Sequence, residues 1–274
     1  MDTKNKNIII TGASSGIGKA IALELASKAK TLVLIARRKE LLERLSDELT
    51  TINPNALVKI FSADITNTSS QDEILKQLSE HNISIDLLVN NAGLGDDNYF
   101  HESKLDKLQS IIDLNVSSVT SFTYKIVKSM MKNPTGKDIL LVGSGTGIAW
   151  LPGSAVYSAS KHFITSFAMN LKSELLPFGI DISIAAPGPV DSEFDMNAGI
   201  KGGMKGGPSQ KSRISSEECA KDIVKQLESG RMLILPGKKM RRLMKMYINF
   251  PWFLRAKLLF NDGKKLYNQK YHYK

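Results

Sequence analysis

Short apolar runs without polar alternation recur along the chain, and each is followed by a stretch with helical periodicity. The runs fall at residues 8–11, 31–36, 57–61, 86–89, 138–142, 181–186 and 232–235. Helical patterns begin at about residue 17 and recur at 40–49, 70–80, 104–131, 154–176 and 216–229. A strand covered on both faces reads as an unbroken apolar run, because neither face meets water. Strand and helix in alternation therefore predict an α/β fold, a doubly wound parallel sheet in a single domain. Crossovers between such strands are expected to be right-handed.

No Pro- or Gly-rich linker divides the first 190 residues. The one compositional break is 191–212, with glycines at 199, 202, 203, 206 and 207. Lying after the sixth strand, it reads as a mobile lid over a substrate site, with Phe194, Met196 and Met204 as its apolar inner face. The other reading is a surface loop without a gating role. Trp150, Leu151 and Leu94 lie in loops on the same edge of the sheet, so the expected substrate is lipophilic. Residues 1–237 then form the catalytic domain and 238–274 an extension.

The chain has 274 residues, 42% hydrophobic and 23% charged, an ordinary globular composition. Cys219 is the single cysteine, so no intrachain disulfide can form. The N-terminal residues run straight into a strand pattern and lack the apolar stretch of a secretory signal. No run approaches the ~18 apolar residues of a spanning helix. A cytoplasmic location is expected. The net charge of +10 is unevenly placed: residues 231–274 carry 12 Lys and Arg against Asp262 alone, while the other 230 residues carry 25 basic and 26 acidic side chains. The basicity belongs to the tail.

The first strand–helix junction reads Thr11-Gly12-Ala13-Ser14-Ser15-Gly16-Ile17-Gly18. Glycines there let the backbone approach a pyrophosphate, and the helix N-terminus presents free N–H groups to it. The same string can also serve as a tight turn only. The second strand ends in Ala36-Arg37-Arg38, where an acid would bind the ribose hydroxyls of NAD. Two guanidiniums suit a 2′-phosphate, so NADP(H) is preferred over NAD(H). Asp64-Ile65 can place a carboxylate on an adenine amino group, and Asn90-Asn91-Ala92-Gly93 lines the same edge; turn formation is the alternative for both.

Tyr157 and Lys161 stand four residues apart, which places them on one helix face. An ammonium beside a phenol favours the phenolate and suits the tyrosine to exchange a proton with a carbonyl or alcohol oxygen. Ser144 follows the fifth strand and can hold the same oxygen. Asn115 interrupts a helical pattern, where asparagine is a poor residue; it marks a local break or a surface position.

Taken together, TGASSGIG, Asp64, NNAG, Asn115, Ser144, YSASK and Pro187-Gly188 resemble the classical short-chain dehydrogenase/reductase family over roughly residues 5–190. The resemblance implies a Rossmann fold and a nicotinamide cofactor. It implies a Ser144–Tyr157–Lys161 triad, with Asn115 holding a water relay and Lys161 also binding the nicotinamide ribose. It places Gly12, Ser14, Ser15, Gly16, Ile17, Gly18, Asp64, Ile65, Asn91, Ala92 and Gly93 along the cofactor. Pro187, Gly188 and Val190 would face the nicotinamide. Gly143 stands where the family commonly has serine, and Ser192 where it has threonine. Dimers or tetramers are the family's usual assemblies.

In the tail, Met240, Leu243, Met244, Tyr247 and Ile248 form one helical stripe among Lys238, Lys239, Arg241, Arg242 and Lys245. A second helix begins at Pro251, with Trp252, Phe253, Ala256, Leu259 and Phe260 on one face and Arg255 and Lys257 outside it. Basic amphipathic helices with aromatic residues lie in membrane interfaces, so peripheral membrane association through 238–260 is expected. The stripes can instead dock on the domain or a second subunit. No helix-turn-helix or zinc pattern supports nucleic acid. The whole reads as an NADPH-dependent carbonyl reductase, an oxidoreductase acting on CH–OH donors. A non-catalytic regulator or scaffold is the alternative, against which the four catalytic residue types speak.

Overall fold

The computed structural model describes residues 2–194 and 213–271. Seven parallel strands form one sheet in the order β3-β2-β1-β4-β5-β6-β9. They are β1 (Asn7–Thr11), β2 (Thr31–Ala36), β3 (Leu57–Ser62), β4 (Leu87–Asn90), β5 (Lys137–Val142), β6 (Ile180–Ala185) and β9 (Leu233–Ile234). A separate parallel pair joins β7 (Val190–Asp191) to β8 (Ile214–Ser215). The strand order steps outward from β1 in both directions, so the switch point lies between β1 and β4, where such folds bind ligands.

Side-chain alternation sorts the apolar runs into two layers. Ile8, Ile10, Leu32, Leu34, Leu87 and Val89 face α1 (Gly16–Leu25), α2 (Lys39–Ile52) and α7 (Ser216–Glu228). Ile9, Val33, Ile35, Leu88, Ile139 and Leu141 face α3 (Thr68–Glu80), α5 (Val119–Met130) and α6 (Ala155–Leu175). Phe122, fully buried, is among the largest side chains of the second layer. The doubly wound parallel sheet is therefore the one the unalternating runs predict, with boundaries within a residue or two.

The long helical pattern at 104–131 is interrupted. α4 (Leu105–Ile112) passes into a π-helical turn at Asp113–Ser118 before α5 resumes. Asn115 sits in that turn and is buried, so it marks a local break rather than a surface position. Wide turns of this kind are frequent at functional sites.

The extension forms α8 (Lys238–Asn249) and α9 (Trp252–Tyr271). Met240 and Met244 are buried with Ala186 and Leu235 in a third cluster. Arg241 pairs with Asp222 of α7 at 2.6 Å, and its Nε donates to the Leu235 carbonyl at 3.0 Å. The expected five-residue stripe thus narrows: Leu243 and Ile248 remain exposed, while Arg241 turns inward. The second helix differs more. Its inward face carries Ala256, Leu259 and Gly263, whereas Trp252, Phe253 and Phe260 are exposed. Arg255, expected outside, lies between the rings of Trp150 and Tyr247, 5.4 and 5.5 Å from their centroids. A guanidinium stacks on aromatic faces as well as an apolar group packs, and the sequence period does not distinguish the two.

The docking of α8 predicts that Met240→Ala lowers the unfolding free energy by about 2–5 kcal/mol in urea titrations, the range for truncating a buried methionine. A loss below about 0.5 kcal/mol would show that α8 is not seated on the domain.

Candidate active site

The glycine-rich turn is held open by its neighbours. Gly12 has φ 67°, and a Cβ there would stand 2.9 Å from Ala92 Cα. A Cβ on Gly18 would lie 2.3 Å from the Gly12 carbonyl oxygen, so α1 can start this close to β1 only with glycine there. Thr11 and Asn91 brace the turn. Asn91 Nδ2 donates to the carbonyls of Thr11 (3.0 Å) and Gly12 (3.2 Å). The Thr11 hydroxyl accepts from the N–H groups of Asn91 and Ala92, each at 3.0 Å, and donates to Asn90 Oδ1 at 3.1 Å. Ser15, at the N-cap of α1, makes no side-chain hydrogen bond to the helix, so the first N–H groups of α1 have no side-chain cap. A turn opened by glycines at 12, 16 and 18 before an uncapped helix N-terminus fits a dinucleotide pyrophosphate. Ile17 belongs to the core side of the turn.

The two arginines after β2 part company. Arg38 Nη2 donates to Ser14 Oγ at 3.1 Å and Ser15 Oγ at 2.8 Å, and Nη1 pairs with Glu193 at 2.7 Å. Arg37 is exposed on the other side, toward Asp64. Burial works to raise the Asp64 carboxyl, but hydrogen bonds from the Thr66 amide and hydroxyl, with the Arg37 charge, hold it below its usual range. Those bonds, at 2.9 and 2.7 Å, close a turn after β3, and Ile65 beside it is buried.

α6 begins after the Pro152-Gly153 turn and carries Tyr157 and Lys161 on one face. Lys161 is buried, 4% exposed. Its Nζ donates to the Val142 carbonyl at 3.2 Å and lies 5.9 Å from the centroid of the Tyr157 ring. Burial pushes the ammonium down from 10.5 to about 8. A Cβ on Gly93 would stand 3.3 Å from both Lys161 Nζ and Asn115 Oδ1, so the turn after β4 meets both groups.

Asn115 is held by three hydrogen bonds to two residues. Its Oδ1 accepts from the Leu94 N–H at 2.9 Å, and its Nδ2 donates to the Leu94 carbonyl at 2.8 Å and to Ser160 Oγ at 2.9 Å. Ser160 in turn donates to the Tyr157 carbonyl at 2.7 Å. The π-helical turn is thereby linked to the backbone of the tyrosine. Ser144 Oγ accepts from the N–H of Thr146 at 3.2 Å and its hydroxyl at 3.1 Å. Gly145 N–H donates to the Pro187 carbonyl at 2.7 Å, which sets Ser144 beside Pro187-Gly188. Val190 is buried in β7, and Ser192 Cβ lies 3.2 Å from where a Cβ on Gly16 would stand.

The extension reaches the same edge. A Cβ on Gly188 would meet Met240 Cε at 2.4 Å, and one on Gly145 would lie 3.8 Å from Met244 Cε. Phe194 sets its ring 5.8 Å from that of Tyr157. Met196, Met204 and the glycines of the expected lid lie outside the described residues. Trp150 and Leu151 line a cleft of about 740 Å³ between α6 and α9, together with His162, Leu259 and Phe260.

Sequence reasoning missed Thr11, Ser160, Thr146, Glu193 and the two tail methionines. Thr11 and Ser160 were within reach, since they lie inside TGASSGIG and YSASK, and Met240 and Met244 stood in the expected stripe; Thr146 and Glu193 meet the site only through the fold.

An open parallel sheet with a glycine-rich turn at its switch point and a buried lysine beside a tyrosine defines a doubly wound α/β protein with a candidate dinucleotide site. The model of the short chain dehydrogenase family matches residues 6–201. The chain belongs to the short-chain dehydrogenase/reductase family. It is 33% identical over 222 residues to sulfoacetaldehyde reductase of Chromohalobacter salexigens, covering 80% of this chain and 85% of that protein. A short-chain dehydrogenase from Sphingobium yanoikuyae, solved with NADPH, superposes with a TM-score of 0.76 at 25% identity over 97% of this chain and 96% of that one. A short-chain dehydrogenase/reductase from Burkholderia phymatum, solved with NAD, has the same fold, with a TM-score of 0.78 at 22% identity over 89% of this chain and 93% of that one.

The buried lysine gives a pH signature. Below about pH 8 the folded and unfolded chains both carry the proton, and the burial penalty is complete. Between about 8 and 10.5 the folded chain releases the proton while the unfolded chain still holds it, so stability rises with pH. Without cofactor, the wild type should gain roughly 2 kcal/mol relative to Lys161→Met between about pH 8 and 10 in denaturant titrations. Parallel pH profiles would show that Lys161 is not buried as a cation.

Proposed function

We propose that this protein is an NADP(H)-dependent reductase that interconverts a carbonyl and a secondary alcohol on a lipophilic substrate. The observation that carries the reading is the buried Lys161 beside Tyr157, braced through Ser160 to Asn115. The bound nicotinamide supplies the hydride. In the reductive direction Ser144 and Tyr157 hydrogen-bond the carbonyl oxygen, and Tyr157 gives it a proton as negative charge develops. Lys161 stabilises the tyrosinate left behind and binds the nicotinamide ribose, and Asn115 positions a water that returns the proton. Gly12, Ser14, Ser15, Gly16, Ile17 and Gly18 hold the pyrophosphate end, and Arg37 and Arg38 the 2′-phosphate. Asp64, Ile65, Asn91, Ala92 and Gly93 flank the adenosine and ribose, and Pro187, Gly188, Val190 and Ser192 the nicotinamide. Support for a lipophilic substrate comes from the apolar groups on this edge, Phe194, Met240 and Met244.

Residues 1–237 act in this reading as the catalytic domain and the extension as a membrane-surface anchor. Among the described residues no helix is long and apolar enough to cross a membrane. Trp252, Phe253 and Phe260 are each more than 60% exposed, with Lys257, Lys264 and Lys265 among them, a composition that suits an anionic bilayer interface. Exposed Tyr124 on α5 and Phe163 and Met169 on α6 suit assembly into a homodimer or homotetramer.

Two outcomes are expected. Tyr157→Phe should lower kcat by at least about a thousandfold in NADPH-oxidation assays with ketones and aldehydes while NADPH still binds; retention of most activity would defeat the mechanism. In co-sedimentation with vesicles containing anionic lipid, the full chain should pellet and a chain ending at Gly237 should not; equal pelleting would remove the anchor.

A further inference from the structure

Doubly wound dinucleotide-binding sheets mark the end of the second strand with an acid for the ribose of NAD or an arginine for the 2′-phosphate of NADP. Here arginines follow β2, yet a carboxylate arrives from elsewhere. Glu193, 155 residues along the chain, sets its Oε2 2.7 Å from Arg38 Nη1. Arg38 holds two further oxygens, Ser14 Oγ and Ser15 Oγ, at 3.1 and 2.8 Å. The neighbours of Glu193 keep it there. Ser192 lies against Gly16, and the Phe194 ring lies 5.8 Å from that of Tyr157. Residues 192–194 thus run from the glycine-rich turn toward the tyrosine, with the acid at the adenosine corner. The Arg38 and Glu193 side chains remain 44% and 42% exposed, within reach of a ligand.

We infer that Glu193 sets cofactor discrimination: its carboxylate competes with the 2′-phosphate of NADP(H) for Arg38 and accepts the ribose 2′-hydroxyl of NAD(H). A carboxylate and a phosphate use the same guanidinium edge, and two anions held together on it repel. NADP(H) must therefore displace Glu193, whereas NAD(H) leaves the ion pair whole. The hydrogen bond from Arg38 holds the Glu193 carboxyl below its usual range, so the competitor is charged at neutral pH. The inference rests on the nicotinamide-dependent function proposed above. Glu193 thereby narrows the NADP(H) preference that Arg37 and Arg38 alone imply.

The test is fluorescence titration of the full chain with NADPH and with NADH, for the wild type and Glu193→Gln. Both side chains of the pair are partly exposed, so the variant is expected to fold. The Kd for NADPH should fall about tenfold, and that for NADH should stay the same or rise. Changes within twofold for both, or equal shifts in the same direction, would overturn the inference. A wild type that binds neither nucleotide defeats the functional reading and this inference together. A wild type that binds NADH more tightly defeats only the NADP(H) preference, and the Glu193→Gln swing still decides the role of Glu193.

Discussion

The carboxyl edge of this sheet is arranged around a buried ammonium. An ionised lysine taken out of water is unfavourable by several kcal/mol unless its surroundings compensate. Lys161 has the Val142 carbonyl at 3.2 Å and the Tyr157 ring beside it, and its ammonium is pushed down to about 8. A group held this far from its solution behaviour belongs to a site more often than to a scaffold. The backbone makes room for it. A Cβ on Gly147 would come within 2.5 Å of the Lys161 carbonyl oxygen, so the turn after β5 and α6 can approach only through glycine.

Around that charge the fold gathers groups from widely separated parts of the chain. The π-helical turn brings Asn115 to Ser160, and through it to the tyrosine backbone. The turn after β4 brings Gly93 against the lysine, and the turn after β5 sets Ser144 beside Pro187-Gly188. The extension closes the far end, with Met240 pressed on Gly188 and α8 fixed by the Arg241–Asp222 pair. A helix that could have hung free instead lies against Gly188 and Gly145 at the edge of the candidate site.

Much of this was legible in the sequence for a simple reason. Strands buried on both faces leave unbroken apolar runs, and helices between them leave a 3.6-residue period, so the doubly wound sheet could be read element by element. The Tyr157–Lys161 spacing and the glycine turn are local in sequence and therefore visible. Asn115 was visible as a poor helix residue, although its partners were not. What stayed hidden depends on contacts across long separations. Glu193 reaches Arg38 over 155 residues, and no local pattern announces it. The tail was misjudged in detail because docking uses a narrow strip of Met240 and Met244. Ion pairing and ring stacking then draw Arg241 and Arg255 inward, against their hydropathy.

In the proposed reaction a hydride passes from a nicotinamide to the carbon of a carbonyl whose oxygen is held by Tyr157 and Ser144. Single-turnover reaction of the full chain with NADPH deuterated at the transferring carbon, over a panel of lipophilic ketones and aldehydes, measures it directly by mass spectrometry. One deuterium is expected on the carbinol carbon of at least one product. Tight NADPH binding with no deuterium transferred to any member of the panel would contradict it.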